Sequence, residues 1–182
     1  ERLRVQAPAS SLQAAVKRLG GRRLHFLFLS GDPFRKGIRV LLEAWSQVRG
    51  PAELCCVMPT EALTSPLVLR HLTRDARIIV RPFIAGRSWP AWFDTFDVLV
   101  LPSFEEGFPA TIGEGMARGI PGILSTSSGI TDIVTSGQNG IVTPTGHAKR
   151  LADAIQTLSG RRGEIRRLGV AARDTAREVT WA

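Results

Sequence analysis

Short apolar runs alternate with amphipathic stretches along the whole chain. The runs that predict buried strands occupy residues 24–29, 53–58, 78–80, 98–101, 122–124 and 140–142. The stretches that predict helices occupy residues 38–48, 66–72, 89–96, 110–118, 130–135, 148–158 and 163–179. Strands that alternate with helices indicate an α/β fold, in which a parallel sheet of about six strands has helices on both faces.

Two polar loops of this predicted fold follow strands directly. They occupy residues 30–37 and 102–109, after the first and the fourth strand. Ligands of open parallel sheets bind at the carboxyl ends of the strands, so both loops are expected at the same edge. The second loop leads into the helix predicted from residue 110, and the free N–H groups of a helix start attract anions. The sequence therefore predicts an anion site at this edge.

The side chains of these two loops fit a phosphorylated sugar compound. Arg35 and Lys36 could neutralise a diphosphate, and Gly37 lets the backbone approach it closely. Glu106 and Glu114 flank the helix start, with seven residues between them. Carboxylates repel phosphate, so these two suit the hydroxyl groups of a sugar or a ribose. Neither loop has the glycine pattern of a P-loop or of a dinucleotide-binding turn.

Composition narrows the class of protein. The 182 residues suit a single domain, and 24 basic against 16 acidic side chains give a net charge of +8. Such a charge favours phosphorylated substrates or an anionic membrane surface as partners, whereas no nucleic-acid-binding motif is present. The three histidines show no metal-ligand spacing, so no metal site is expected. The adjacent Cys55 and Cys56 fit buried small residues in a reducing cytoplasm.

Five short motifs occur in order along the chain. They are Gly31 with Lys36-Gly37, Pro102-Ser103 with Glu106-Gly107-Phe108-Pro109, Glu114-Gly115-Met116-Ala117-Arg118-Gly119-Ile120-Pro121, Ser128-Gly129-Ile130-Thr131-Asp132-Ile133-Val134, and Asn139-Gly140. Their order and spacing resemble the nucleotide-sugar-binding half of the retaining glycosyltransferases of the two-Rossmann-domain (GT-B) kind, family 4. Trp181 resembles the tryptophan that opens the last helix of that family. The resemblance covers nearly the whole chain.

The resemblance implies a domain organisation and an activity. Residues 1–182 would form a single donor domain with a Rossmann-like sheet, and the N-terminal Rossmann-like acceptor domain would be missing from this chain. The implied reaction transfers a sugar with retention from a UDP- or GDP-linked nucleotide sugar to an acceptor, with a cell-envelope glycan or a lipid as candidates. The implied enzyme uses no cofactor and is cytoplasmic, with peripheral contact to the inner face of the membrane as one option.

The resemblance also implies roles for single residues. Glu106, the first glutamate of the family's E-x7-E motif, would face the donor sugar, and Glu114 would hold the ribose hydroxyls. Lys36 would be the diphosphate lysine, so Glu106 and Lys36 are the implied catalytic pair. The other implied contacts are Gly31, Arg35, Gly37, Gly107 and the backbone N–H groups of Phe108, Pro109, Ala110 and Thr111 around the phosphates, and Arg81, Pro82 and Phe83 beside the nucleobase.

Three positions depart from the family pattern, and the mildest departure is Asp132 in place of the commoner glutamate of the late motif. Asp32 stands where the family usually has arginine, so either Arg35 substitutes for that arginine or the affinity for phosphate is reduced. Pro82 stands where a glycine is expected, which leaves the base undetermined. Two other functions stay open: a sugar-nucleotide epimerase of the same fold, and a non-catalytic membrane-docking scaffold. Asp32 favours the scaffold, whereas the presence of both Glu106 and Glu114 argues against it.

Overall fold

A computed structural model of the protein describes residues 23–82 and 93–178. Three expectations from the sequence lie outside these residues. They are the nucleobase contact of Phe83, the first half of the helix predicted over residues 89–96, and the role of Trp181.

The described residues contain one sheet of six parallel strands. The strands are β1 (Leu24–Leu29), β2 (Ala52–Met58), β3 (Ile78–Pro82), β4 (Val98–Leu101), β5 (Gly122–Ser125) and β6 (Ile141–Thr143). Their order across the sheet is β3-β2-β1-β4-β5-β6, and every neighbouring pair is parallel. This is the Rossmann-like strand order, and it confirms the predicted α/β fold with about six strands.

Helices connect these strands as the periodicity predicts. The α-helices are α1 (Ile38–Trp45), α2 (Pro66–Arg74), α3 (Ala110–Ala117), α4 (Ala148–Leu158) and α5 (Arg162–Glu178). A 3-10 helix that the sequence did not predict, Thr60–Thr64, precedes α2. Within the described part of the chain, none of these helices is both long and apolar enough to cross a membrane.

The strands are predictable because the core covers both faces of the sheet. Every residue of β2 and β4 is buried, and β1 is buried except for the half-buried His25. A strand with helices on both faces is apolar without alternation, which is the pattern of these runs. Phe26 of β1 packs edge-to-face on Trp45 of α1, with ring centroids 5.6 Å apart, so the first strand and the first helix share one core.

The helix predicted over residues 130–135 is wrong in length. A 3-10 helix spans Gly129–Asp132, and the chain then leaves helical geometry. Asn139 explains the early end. Its amide Nδ2 donates to the carbonyl of Ile133 at 2.8 Å, and its Oδ1 accepts from the N–H of Thr135 at 2.8 Å. A side chain from the next loop therefore takes the backbone groups that a longer helix would use.

Candidate functional site

The two predicted loops meet at the point where the strand order reverses. β1 and β4 are neighbours, and the helices that follow them in the chain leave the sheet in opposite directions, which opens a crevice at their carboxyl ends. The N–H of Phe104 donates to the carbonyl of Arg35 at 2.9 Å, and Arg35 Nη1 donates to the carbonyl of Glu105 at 2.9 Å. The sequence placed both loops at one edge, and the structure joins them directly.

Lys36 and Glu106 form an ion pair at the junction of these loops. Their side chains are only 14% and 10% exposed, so water screens the pair weakly. Burial lowers the pKa of Lys36, the neighbouring charge of Arg35 lowers it further, and Asp32 opposes the shift. The two residues with the implied catalytic roles therefore lie in contact in a partly dry position.

The backbone of Glu106 is fixed from its other side by the loop after β5. The N–H of Glu106 donates to the carbonyl of Ser127 at 3.2 Å, and the N–H of Gly129 donates to the carbonyl of Glu106 at 2.9 Å. A Cβ on Gly129 would overlap the carbonyl oxygen of Gly107, so only glycine fits there. The sequence offered one signal for this support, the Ser128-Gly129 motif, but gave it no role.

The structure explains why residue 37 is a glycine, which the sequence alone did not show. Its φ is +81°, a left-handed conformation that favours glycine. A Cβ on Gly37 would also overlap the carbonyl oxygen of Pro102, because the start of α1 packs directly on the β4 loop. Gly31, in contrast, has open space around its Cα. Gly37 thus holds the two loops together, beside any contact it makes with a ligand.

Helix α3 begins at the crevice with free donors. The N–H groups of Ile112 and Gly113 both donate to the carbonyl of Pro109, at 2.8 and 3.3 Å. Among the described residues, the N–H groups of Ala110 and Thr111 find no acceptor, which is normal for the first turn of a helix. Pro109 has no N–H, so the predicted cradle of consecutive N–H groups is interrupted at this residue. Of the predicted anion site, the free N–H groups of Ala110 and Thr111 are what the structure offers.

A shallow apolar groove runs along the same helix. It has a volume of about 350 Å³ and is lined by Phe108, Ala110, Gly113, Glu114 and Ala117. Glu114 is exposed and lies one turn after Ala110 on the same side of α3. An apolar floor with one carboxylate at its side suits a ring that carries hydroxyl groups.

Asp32 lies in the β1 loop and pairs with Arg35. Its Oδ2 accepts from Arg35 Nε at 3.2 Å, and its Oδ1 accepts from the Arg35 N–H at 3.3 Å. The Asp32 N–H donates to Ser30 Oγ at 3.0 Å, so the carboxylate also belongs to a turn of this loop. The negative charge that the sequence left unexplained is therefore balanced within its own loop.

Arg81 and Pro82 lie apart from this junction. They end β3, which is two strands away from β1, or about 10 Å. Arg81 is buried, with 7% of its surface exposed, and its charge acts on Cys55 of β2. Burial raises the pKa of the Cys55 thiol to about 12. The guanidinium thus faces β2, and a nucleobase at this strand end would meet the backbone.

The comparison with protein families identifies the chain. Residues 23–160 match the model of the family Glycosyl transferases group 1, and the chain belongs to this family.

Similar proteins include both a curated enzyme and solved structures. The D-inositol 3-phosphate glycosyltransferase of Xylanimonas cellulosilytica is 28% identical over 163 residues, which cover 85% of this chain and 38% of that protein. Sucrose-phosphate synthase from Thermosynechococcus elongatus has a TM-score of 0.80 at 24% identity, over 98% of this chain and 46% of that one. Anabaena HepE in complex with UDP and glucose has a TM-score of 0.79 at 22% identity, over 97% and 49%.

The chain matches only part of each of these proteins. The chain spans less than half the length of each of these three proteins. Its fold is that of one Rossmann-like domain of a GT-B glycosyltransferase.

Proposed function

We propose that this domain binds a UDP- or GDP-linked sugar and, within a longer protein, transfers the sugar with retention to a glycan or lipid acceptor. One observation carries the proposal. Lys36 and Glu106 are in contact in the crevice between β1 and β4, beside the free N–H groups that open α3. A cation, a helix start and a carboxylate at one place match the phosphate and hydroxyl groups of a nucleotide sugar.

The positive groups of the site face the charge that develops on the diphosphate. Cleavage of the bond to the sugar leaves negative charge on the departing diphosphate and positive character on the sugar. A helix start stabilises one charge by about 0.3–1 kcal/mol when exposed and by up to about 2 kcal/mol when partly buried. Catalysis requires more than this, so Lys36 and the N–H groups of Ala110 and Thr111 must act together in a site that excludes water.

The ion pair also explains how donor binding engages Glu106. Without a ligand, Lys36 and Glu106 neutralise each other in the crevice. A diphosphate competes for the ammonium group of Lys36, because it carries more negative charge than one carboxylate. The carboxylate of Glu106 is then available to accept hydrogen bonds from the sugar hydroxyls, which are donors.

Glu114 and its groove suit the nucleoside. The carboxylate lies one turn beyond the helix start, where the ribose follows the phosphates along α3, and its two oxygens can accept from two hydroxyl groups. Anabaena HepE, a structural neighbour, is described in complexes with UDP and with UDP-glucose, which supports UDP as the first nucleotide to test.

Calorimetric titration of the folded domain with UDP, GDP and their sugars tests this function. We expect binding of one nucleotide, weakened about 10- to 100-fold in Lys36→Ala because a charge-assisted contact is lost. A loss of about tenfold is expected in Glu114→Ala. Lys149→Ala on α4 and Glu43→Ala on α1, which remove exposed charges outside the site, are the matched controls and should bind as the wild type does.

Two results would sink the proposal. One is a folded wild-type domain that binds none of these nucleotides. The other is binding that Lys36→Ala and Glu114→Ala leave unchanged, since the ligand would then occupy a different place.

A further inference from the structure

Arg35 ties the β1 loop to the β4 loop through two consecutive residues. Its carbonyl accepts from the N–H of Phe104 at 2.9 Å, and its Nη1 donates to the carbonyl of Glu105 at 2.9 Å. The next residue along the β4 loop is Glu106. Arg35 therefore holds the two peptide units that lead into the carboxylate of the site.

Asp32 keeps the Arg35 guanidinium in this position. The Nε of Arg35 donates to Asp32 Oδ2 at 3.2 Å while Nη1 donates to Glu105. Two different nitrogens of one rigid fork thus have two fixed partners, which a lysine ammonium at that position could not reproduce. Three further N–H donors of the guanidinium remain, one on Nη1 and two on Nη2, so the two bonds fix its orientation without using all of its donors.

We propose that Arg35 is a positioning residue that orients Glu106 through the β4 loop, with Asp32 as its anchor. The inference rests on the proposed function, because the orientation of Glu106 matters only to a sugar donor. Its test also decides between the two alternatives that Asp32 raised. In this proposal the diphosphate is held by Lys36 and the start of α3, and Arg35 acts on the β4 loop instead. Arg35 and Lys36 are adjacent in sequence but have different roles: Arg35 orients the β4 loop, and Lys36 binds the diphosphate.

Because these contacts are exposed to solvent, Arg35 can position Glu106 while contributing little to the stability of the fold. The Arg35 and Asp32 side chains are about half exposed, and exposed ion pairs contribute little to folding. Loss of Arg35 should therefore leave the protein folded. Its effect should appear where Glu106 acts, in the discrimination between a nucleotide with a sugar and one without.

The test measures the dissociation constants of UDP and UDP-glucose, or of the GDP pair if the wild type prefers GDP. The quantity of interest is the ratio of the two constants. We expect Arg35→Ala to shift this ratio by about fivefold, in the same direction as Glu106→Ala, and to change the constant for the bare nucleotide less than twofold. The double variant should show no further shift, because both changes act on one carboxylate.

Conservative and control variants complete the test. Arg35→Lys keeps the charge but cannot bridge Asp32 and Glu105, so it should behave as Arg35→Ala does. Arg39→Ala, which removes an exposed arginine from α1, should leave both constants unchanged. Thermal unfolding of every variant shows that it is folded.

Three outcomes overturn the inference. Equal weakening of both ligands by Arg35→Ala would make Arg35 a diphosphate ligand, and unchanged constants would give it no role at the site. Additive shifts in the double variant would show that Arg35 does not act through Glu106. A folded wild type that binds neither ligand would instead refute the proposed function, and the inference with it.

Discussion

Lys36 gives the site a dependence on pH at the scale of one residue. Burial and the charge of Arg35 lower its pKa in the ligand-free protein, and the ion pair with Glu106 opposes this by favouring the charged form. The net shift is downward, so Lys36 loses its proton at a lower pH than an ordinary lysine. A bound diphosphate stabilises the charged form, and binding therefore takes up a proton when Lys36 is partly neutral. The affinity for the diphosphate should be highest below the lowered pKa of Lys36 and should fall as the pH rises through that pKa.

Isothermal titration at several pH values above 7.5 checks this direction. The wild type should lose affinity for UDP progressively before pH 10.5, the ordinary pKa of lysine. Lys36→Arg is the control, because a guanidinium does not lose its proton in this range and any titration of the ligand affects both proteins equally. Parallel pH profiles for the two proteins would contradict a role for the Lys36 charge.

Gly129 is a second position at which a single added carbon atom, a Cβ, would disturb the backbone of the site. A Cβ there would overlap the Gly107 carbonyl, which belongs to the backbone and cannot turn aside as a flexible side chain could. We expect Gly129→Ala to lower the free energy of unfolding by about 1–3 kcal/mol, the usual cost of overpacking. Gly31→Ala meets no atom within 4 Å and should change it by less than about 0.5 kcal/mol. Equal denaturation midpoints for both variants would contradict this account.

At the scale of elements, the strands were predictable and the contacts between loops were not. Helices cover both faces of the sheet, so the residues of β1 and β4 form apolar runs. The first and last residues of each run therefore predict the bounds of the strand. The 3-10 helix at Gly129–Asp132 ends early because of Asn139, a residue in the following loop that local periodicity cannot report.

The same distinction applies to the site. The sequence placed Lys36 and Glu106 at one sheet edge, because both follow parallel strands. Their ion pair depends on β1 and β4 being neighbours, and the periodicity of the sequence does not determine strand order. Arg35 donates to the backbone carbonyl of Glu105, a group that every residue type carries. The amino acid at position 105 therefore does not reveal this contact.

Helix α5 carries a basic face on the opposite edge of the sheet. It crosses the amino ends of β4 and β6, since Arg162 contacts Asp97 and Arg167 Nη2 donates to the carbonyl of Gly137 at 2.7 Å. Four exposed arginines lie within about 60° around its axis, by the period of an α-helix. They are Arg162, Arg166, Arg173 and Arg177. Two of them are paired with carboxylates, Arg162 with Asp97 and Arg177 with Asp174, which leaves Arg166 and Arg173 as the excess positive charge of this face.

We propose this face as the contact for an anionic membrane. Arg166 and Arg173 have no acidic partner among the described residues, and each arginine near an anionic bilayer contributes about 1 kcal/mol. The double variant Arg166→Ala/Arg173→Ala should bind vesicles that contain phosphatidylglycerol about 30-fold more weakly in co-sedimentation. Lys149→Ala is the control. Undiminished binding by the double variant, or equal binding to neutral phosphatidylcholine, would refute electrostatic docking by this face.

At the scale of the whole molecule, the proposed function makes this domain one half of an active site. Lys36 and Glu106 pair at the carboxyl edge of the sheet, where α3 also begins. The curated relative from Xylanimonas cellulosilytica is more than twice as long as the matched region, so the proposed transfer needs groups outside this domain. The isolated domain should therefore bind a donor more readily than it turns the donor over.

The most direct test of the central claim is to map nucleotide binding onto the backbone amides by NMR. Addition of UDP, or of GDP if the domain prefers it, should shift the amide signals of Lys36, Glu106, Ala110 and Thr111 most strongly. The amides of α5, at the opposite edge, should stay in place. The largest shifts at any other part of the fold, or no shifts with any nucleotide, would contradict the assignment of a donor site to the crevice between β1 and β4.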